Sequence, residues 1–122
     1  MTLEELKNRV MFQTGNDAAD LGDYLPHVAE YLNEGYDRLL NAFCREHVSA
    51  DGAFPPLKHD RSEPQLPHWA HAALADWASW RIYMGGSAGR QSRGLMFRAS
   101  YDECEKRLRL EGQGRGFFNI PL

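Results

Sequence analysis

Cysteine is scarce in this 122-residue chain, with only Cys44 and Cys104. Both sit inside helical patterns, and neither lies in a nucleophile or metal-ligand motif, so both are expected to be buried structural thiols. No signal-peptide pattern precedes them, and reduced thiols in a cytosolic setting are the expectation. No apolar run approaches the ~18 residues of a membrane span. No alternating strand pattern is long enough to build a sheet, and no internal repeat is present. There is no G-x-S-x-G elbow, no Walker loop, no dinucleotide fingerprint and no H-E-x-x-H pattern. The glycines of Gly85 to Gly89 follow a helix rather than a strand. Asp17, Asp20 and Asp23 lack the EF-hand spacing and its terminal glutamate. Nor is the chain basic: its net charge is −3, which argues against general nucleic-acid binding. An active site is therefore not legible, and neither catalysis nor a cofactor is expected.

What is present is helical periodicity. Residues 66–84 read LPHWAHAALADWASWRIYM, and all three tryptophans of the chain lie here. Trp69, Ala70, Ala73, Leu74, Trp77, Trp80 and Met84 recur in steps of three and four, the spacing of one broad helical face. A tryptophan buries up to ~250 Å², so this helix is expected to be the centre of the core. Pro67 suits its first turn. Gly85 and Gly86 are expected to end it in the left-handed conformation.

The other elements follow in order. Thr2 and Glu5 form a capping-box pattern ahead of a short helix with Leu3, Leu6 and Val10 as its stripe, which can extend to Met11. A polar loop covers residues 13–22. A long helix from about Asp23 to Glu46 carries Leu25, Val28, Leu32, Tyr36, Leu39 and Phe43. Gly35 interrupts it at a cost of ~1 kcal/mol relative to alanine, which suggests close approach by another helix. Residues 49–65 hold three prolines and a glycine and form a long irregular loop, with Phe54 and Leu57 able to pin it to the body. A basic helix spans Ser87 to about Leu110, with Phe97, Tyr101, Cys104 and Leu108 as its stripe. Gly94 inside it implies a kink or a late start near Arg93. Gly112, Gly114 and Gly116 are expected to end order before Phe117 and Phe118.

The expected fold is thus a small all-α bundle of about four helices. One domain covers 1–111, and a flexible tail covers 112–122. The core list is Trp69, Trp77, Trp80, Leu32, Leu39, Phe97 and Tyr101.

Charge is unevenly placed along the chain. Residues 1–80 carry six basic and thirteen acidic side chains, net −7, and residues 81–122 carry eight and four, net +4. A solvated surface explains this, and so do two complementary patches. The basic corner Arg90, Arg93 and Arg98 can meet phosphates, acidic residues of a neighbouring copy, or only water. His68 and His71 are three apart on a helix and can face the same way. A metal site would need a third ligand from elsewhere, His59 or His47, and Asp76 lies too far along the helix to join. Metal binding is not expected.

The order of these parts resembles the small head–tail connector (head-completion, adaptor) proteins of tailed bacteriophages and prophages. The segments that carry it are LPHVAEYLNEGYDRLL, the proline-rich loop, LPHWAHAALADWASWRIY, the glycine turn and RQSRGLMFRASYDE. The resemblance covers roughly residues 1–110, and GQGRGFF at the C-terminal end has no counterpart in it. It implies an all-α subunit without catalysis that assembles into a ring between the portal and the tail or stopper proteins. DNA would pass through that ring without sequence-specific binding. The setting implied is the bacterial host cytoplasm during assembly and the virion afterwards, with no membrane. Arg90, Arg93, Arg98, Phe54, Leu57, Phe117 and Phe118 are then the candidate contacts to neighbours. Two other readings stand beside it: a nucleic-acid-binding or regulatory helical domain using the three arginines, and a metal-dependent helical enzyme using His68 and His71.

Overall fold

A computed structural model describes residues 1–15, 25–43 and 56–115. Among them there are four α-helices and no strand: α1 Leu3–Gln13, α2 Val28–Phe43, α3 His68–Met84 and α4 Ala88–Arg115. A 3₁₀ turn, Leu25–His27, leads into α2. The all-α bundle expected from the periodicity is what forms.

Local chemistry explains the start of α1. Helix N-termini leave backbone N–H groups without intrahelical partners. Here the Leu3 N–H donates to the Ser62 carbonyl at 2.8 Å and the Glu4 N–H to the Asp60 carbonyl at 3.0 Å. The Glu5 N–H donates to Thr2 Oγ1, and the Thr2 N–H to Glu5 Oε1, completing the capping box. The loop before α3 therefore serves as part of the cap of α1.

The same loop is fastened at two further points. Asn33 Oδ1 accepts from the Leu57 N–H at 2.7 Å, and Asn33 Nδ2 donates to the Leu57 carbonyl at 3.0 Å. The Gln65 N–H donates to the Tyr36 hydroxyl at 2.8 Å. Leu57 and Leu66 are buried. Leu57 thus pins the loop, and as a core residue it is removed from the candidate contacts to neighbours. Phe54 lies outside the described residues.

The tryptophan helix α3 touches each of the other three helices. Its contact with α2 depends on Gly35. A Cβ at that position would lie 3.0 Å from both Cβ and Cγ of Trp77. The close approach suggested by a glycine mid-helix is therefore real, and the ~1 kcal/mol propensity loss is offset by the packing it permits. The Gly35 carbonyl also accepts from the buried Tyr101 hydroxyl of α4 at 2.9 Å. Gly35 is where three helices meet.

Gly94 has a similar role between α3 and α4. A Cβ there would lie 2.8 Å from Tyr83 Cβ and 2.9 Å from Met84 Cε. The helix α4 runs unbroken through Gly94 rather than starting late near Arg93, one of the two outcomes that glycine implied, and Gly94 instead serves a crossing. The helix also continues past Gly112 and Gly114 to Arg115. Residues 116–122, including Phe117 and Phe118, lie outside the described residues.

The corner between α3 and α4 differs from expectation too. Gly85 has φ −83° and ψ −1°, the right-handed region. The helix ends instead through N–H donation from Gly85 to Ile82 and from Gly86 to Tyr83. Gln91 Nε2 then donates to the Met84 and Gly86 carbonyls, so a side chain of α4 caps the end of α3. Gly86 is needed for space: a Cβ there would lie 2.6 Å from Arg90 Cδ.

Candidate functional site

Among the described residues, Trp77 is the centre of a dense aromatic and charged group. It is 6% exposed. Its ring lies 4.8 Å from Trp80 and 4.8 Å from Tyr101, both tilted. Arg38 of α2 stands 4.8 Å over the Trp77 ring and Arg98 of α4 stands 5.0 Å over it. Arg98 is also 4.5 Å from the Trp80 centroid. Guanidinium faces favour such rings through the aromatic quadrupole. Each arginine is then held by a carboxylate: Arg38 donates to both oxygens of Glu105 at 3.2 Å, and Arg98 to Asp102 at 2.9 Å. Glu34 accepts from the Trp77 indole N–H at 3.1 Å and pairs closely with Arg81, whose guanidinium covers Tyr31.

Arg98 is thus engaged within its own chain: its guanidinium lies over two tryptophans and bonds Asp102. The pair Arg38–Glu105 also joins a base of the acidic part to an acid of the basic part. Counting charge along the chain thus overstated the separation of two patches in space. Arg93 is exposed, and Arg90 is half-buried with its aliphatic stem against Gly86. Both have partners within the chain.

The core list needs two corrections. Leu32, Leu39, Trp77 and Tyr101 are buried. Trp80 is half-buried against the core. Phe97 is half-buried outside the core cluster, stacked on Tyr83 at 5.9 Å. Trp69, however, is 37% exposed, with Arg107 3.7 Å over its ring. Alanines 70, 73, 75 and 78 take the interior of α3, where helices approach closely, and the bulkier Trp69 faces outward.

Missed altogether were large apolar side chains on the surface. Phe12 is 87% exposed, Met96 72%, Leu110 60% and Leu95 59%, and Met11, expected at the edge of the α1 stripe, is 42% exposed. They interrupt otherwise polar stretches of α1 and α4. Their failure to fit the stripes Leu3–Leu6–Val10 and Phe97–Tyr101–Cys104–Leu108 was the available signal.

The histidines behave differently from expectation. His71 is buried, and its Nε2–H donates to the Leu66 carbonyl at 2.8 Å. Its Nδ1 lies 2.7 Å from the amino group of Met1. Burial, chiefly, holds the His71 imidazolium below the ordinary histidine range. The ring of His68 is 5.1 Å away. Among the described residues, the group that joins these two is Glu63, not His59, and the three ligand atoms lie within 4.8 Å of one another. His59 is exposed in a turn, and His47 lies outside the described residues.

A polar cluster also links α1 to α3. Gln13 Nε2 donates to Asp76 at 3.0 Å, Gln13 Oε1 accepts from Ser79 at 2.6 Å, and the Tyr83 hydroxyl donates to the Gln13 carbonyl at 3.3 Å. Burial pushes the Asp76 carboxyl up, opposed by the Gln13 bond and by Arg9. Burial, with Asp76 nearby, raises the Cys104 thiol to about 11, so this cysteine stays protonated and inert. The hollows beside Tyr36 are lined by Pro56, Ser62, Glu63 and Gln65 on one side and by Asn33, Asp37 and Leu40 on the other. Neither places a nucleophile beside a histidine.

No family model, no curated protein and no solved structure matches this chain.

Proposed function

We propose that this chain is a structural subunit of a tailed-phage head–tail connector, a ring of identical copies seated between the portal and the tail or stopper proteins. The observation that carries the reading is the exposure of Phe12, Leu95, Met96 and Leu110 on a bundle whose core is already filled. Exposed apolar side chains mark association surfaces where they adjoin one another, as the chain neighbours Leu95 and Met96 do. Together with Phe12 they fall on two different helices, α1 and α4. A ring needs such a heterologous arrangement, in which one patch meets a different patch on the next copy. The resemblance of residues 1–110 to the connector proteins supports the same role, as does the all-α fold.

In this role the bundle itself performs no chemistry. The Trp77 group makes the subunit stiff, and the outer faces of α1 and α4 bind neighbours. The segments containing Phe54, Phe117 and Phe118 supply further contacts, to neighbours or to the portal. DNA passes through the ring without being read. No described helix is long and apolar enough to cross a membrane. Assembly takes place in the host cytoplasm and the ring is retained in the virion.

The test is the double substitution Phe12→Asp with Met96→Asp. It should leave the helical circular dichroism intact and abolish self-association in sedimentation velocity. Equal association of variant and wild type would remove these side chains from the interface. A nucleic-acid domain would instead bind duplex DNA with a steep salt dependence.

A further inference from the structure

His71 is held as a metal-ligating histidine is held. A carbonyl only accepts, so the Leu66 carbonyl fixes the proton on Nε2 and leaves the lone pair on Nδ1. A second hydrogen bond of this kind, from the far ring nitrogen to a backbone carbonyl, orients imidazoles in metal sites. One ligand atom each from His71, His68 and Glu63 lies within 4.8 Å of the other two, and His71 Nδ1 and Glu63 Oε1 face a common neighbour, the Met1 amino group. A cation already sits there. The Met1 ammonium is 2.7 Å from Nδ1 and 3.6 Å from Glu63 Oε1. Two of the three side chains thus already face a positive charge.

Its members are also positioned from outside the site. Glu63 lies between two fastened loop residues: the Ser62 carbonyl accepts from the Leu3 N–H, and the Gln65 N–H donates to Tyr36. His68 and His71 occupy the first turns of α3.

We propose that Glu63, His68 and Nδ1 of His71 bind one divalent transition-metal ion of the zinc class, in the place the Met1 ammonium holds. Two imidazoles and one carboxylate suit such an ion, whereas calcium and magnesium require more oxygen donors. The ion ties the end of the 56–67 loop to the start of α3. Since that loop also caps α1, one ion would brace α1, the loop and α3 together. The role is structural and does not depend on the connector reading.

Zinc titration of the full chain by calorimetry, without an affinity tag and near neutral pH, tests this. One equivalent per chain is expected, with a rise in melting temperature. Glu63→Gln and His68→Ala should each weaken binding ~10-fold or more, and His59→Ala should leave it unchanged. Glu63 and His68 are exposed, so both variants should melt like the wild type without metal, which separates lost ligation from lost folding. Cobalt substituted for zinc should give a visible absorption band in the wild type that His68→Ala removes. The proposal is overturned if the wild type takes up no stoichiometric zinc, if His68→Ala binds as tightly, or if His59→Ala abolishes binding.

Discussion

Trp77→Ala is the perturbation that bears most on the packing. The side chain is 6% exposed and packs on Trp80 and Tyr101. Truncating a buried aromatic to alanine costs ~3–5 kcal/mol, set by how far the site can collapse. Here collapse is restricted on the α2 side, because Gly35 has no side chain to move into the space. Aromatic pairing adds ~0.5–1.5 kcal/mol, and the arginine faces add ~0.5–1 kcal/mol each where partly exposed. A loss of ~4–5 kcal/mol, at the upper end of the range, is therefore expected. A domain of this size is stable by only ~5–15 kcal/mol, so the variant stands close to unfolding. Trp77→Phe keeps most of the ring and loses the indole bond to Glu34, and should cost ~1–2 kcal/mol. Trp69→Ala, half in solvent, should cost only ~1 kcal/mol. Urea melts followed by far-ultraviolet circular dichroism rank the three variants. Equal losses for Trp69→Ala and Trp77→Ala, or a loss below ~1 kcal/mol for Trp77→Ala, would refute this packing.

Two glycines of α4 should respond with opposite sign. Gly89→Ala meets nothing within 4 Å and should stabilise by ~0.4–1 kcal/mol, whereas Gly94→Ala drives a Cβ into Tyr83 and should destabilise by ~1–2 kcal/mol after its propensity gain; thermal melts of both decide it. Asp76, facing Gln13 and Arg9 on α1 and Cys104 on α4, has its folded-state carboxyl raised mainly by burial. The folded state then holds that proton more tightly than the unfolded chain, so this stabilisation is full below the unfolded value of ~3.9 and is lost as pH rises through the folded value. Asp76→Asn should be at least as stable as the wild type near neutrality, and the comparison should move in favour of the wild type on acidification. Urea midpoints at several pH values show whether the difference runs that way.

The N-terminal capping box, the contact at Gly35 and the centrality of Trp77 were legible because each depends on local spacing or on a residue whose cost demands a reason. The orientation of Trp69 was not. The interior of α3 is lined with alanines, and three helices pack on it, so apolar periodicity selects no single face. Glycine inside α4 was ambiguous for a related reason: a break and a crossing look alike in one dimension, and Tyr83 opposite Gly94 decides between them. Arginines are read from sequence as charge, whereas Arg38 and Arg98 are used as flat covers for Trp77. Glu63 was hidden because its approach to His68 and His71 follows from a proline-rich loop whose path is set by Asn33, Tyr36 and the N-terminus of α1.

The connector proposal stands or falls on self-association. Negative-stain electron microscopy of the concentrated protein, beside the Phe12→Asp/Met96→Asp variant, tests it most directly. The account predicts closed rings of uniform diameter for the wild type and dispersed single subunits for the variant, with the helical content of both unchanged. A wild type that stays monomeric at every concentration, or rings that survive the double substitution, would contradict it.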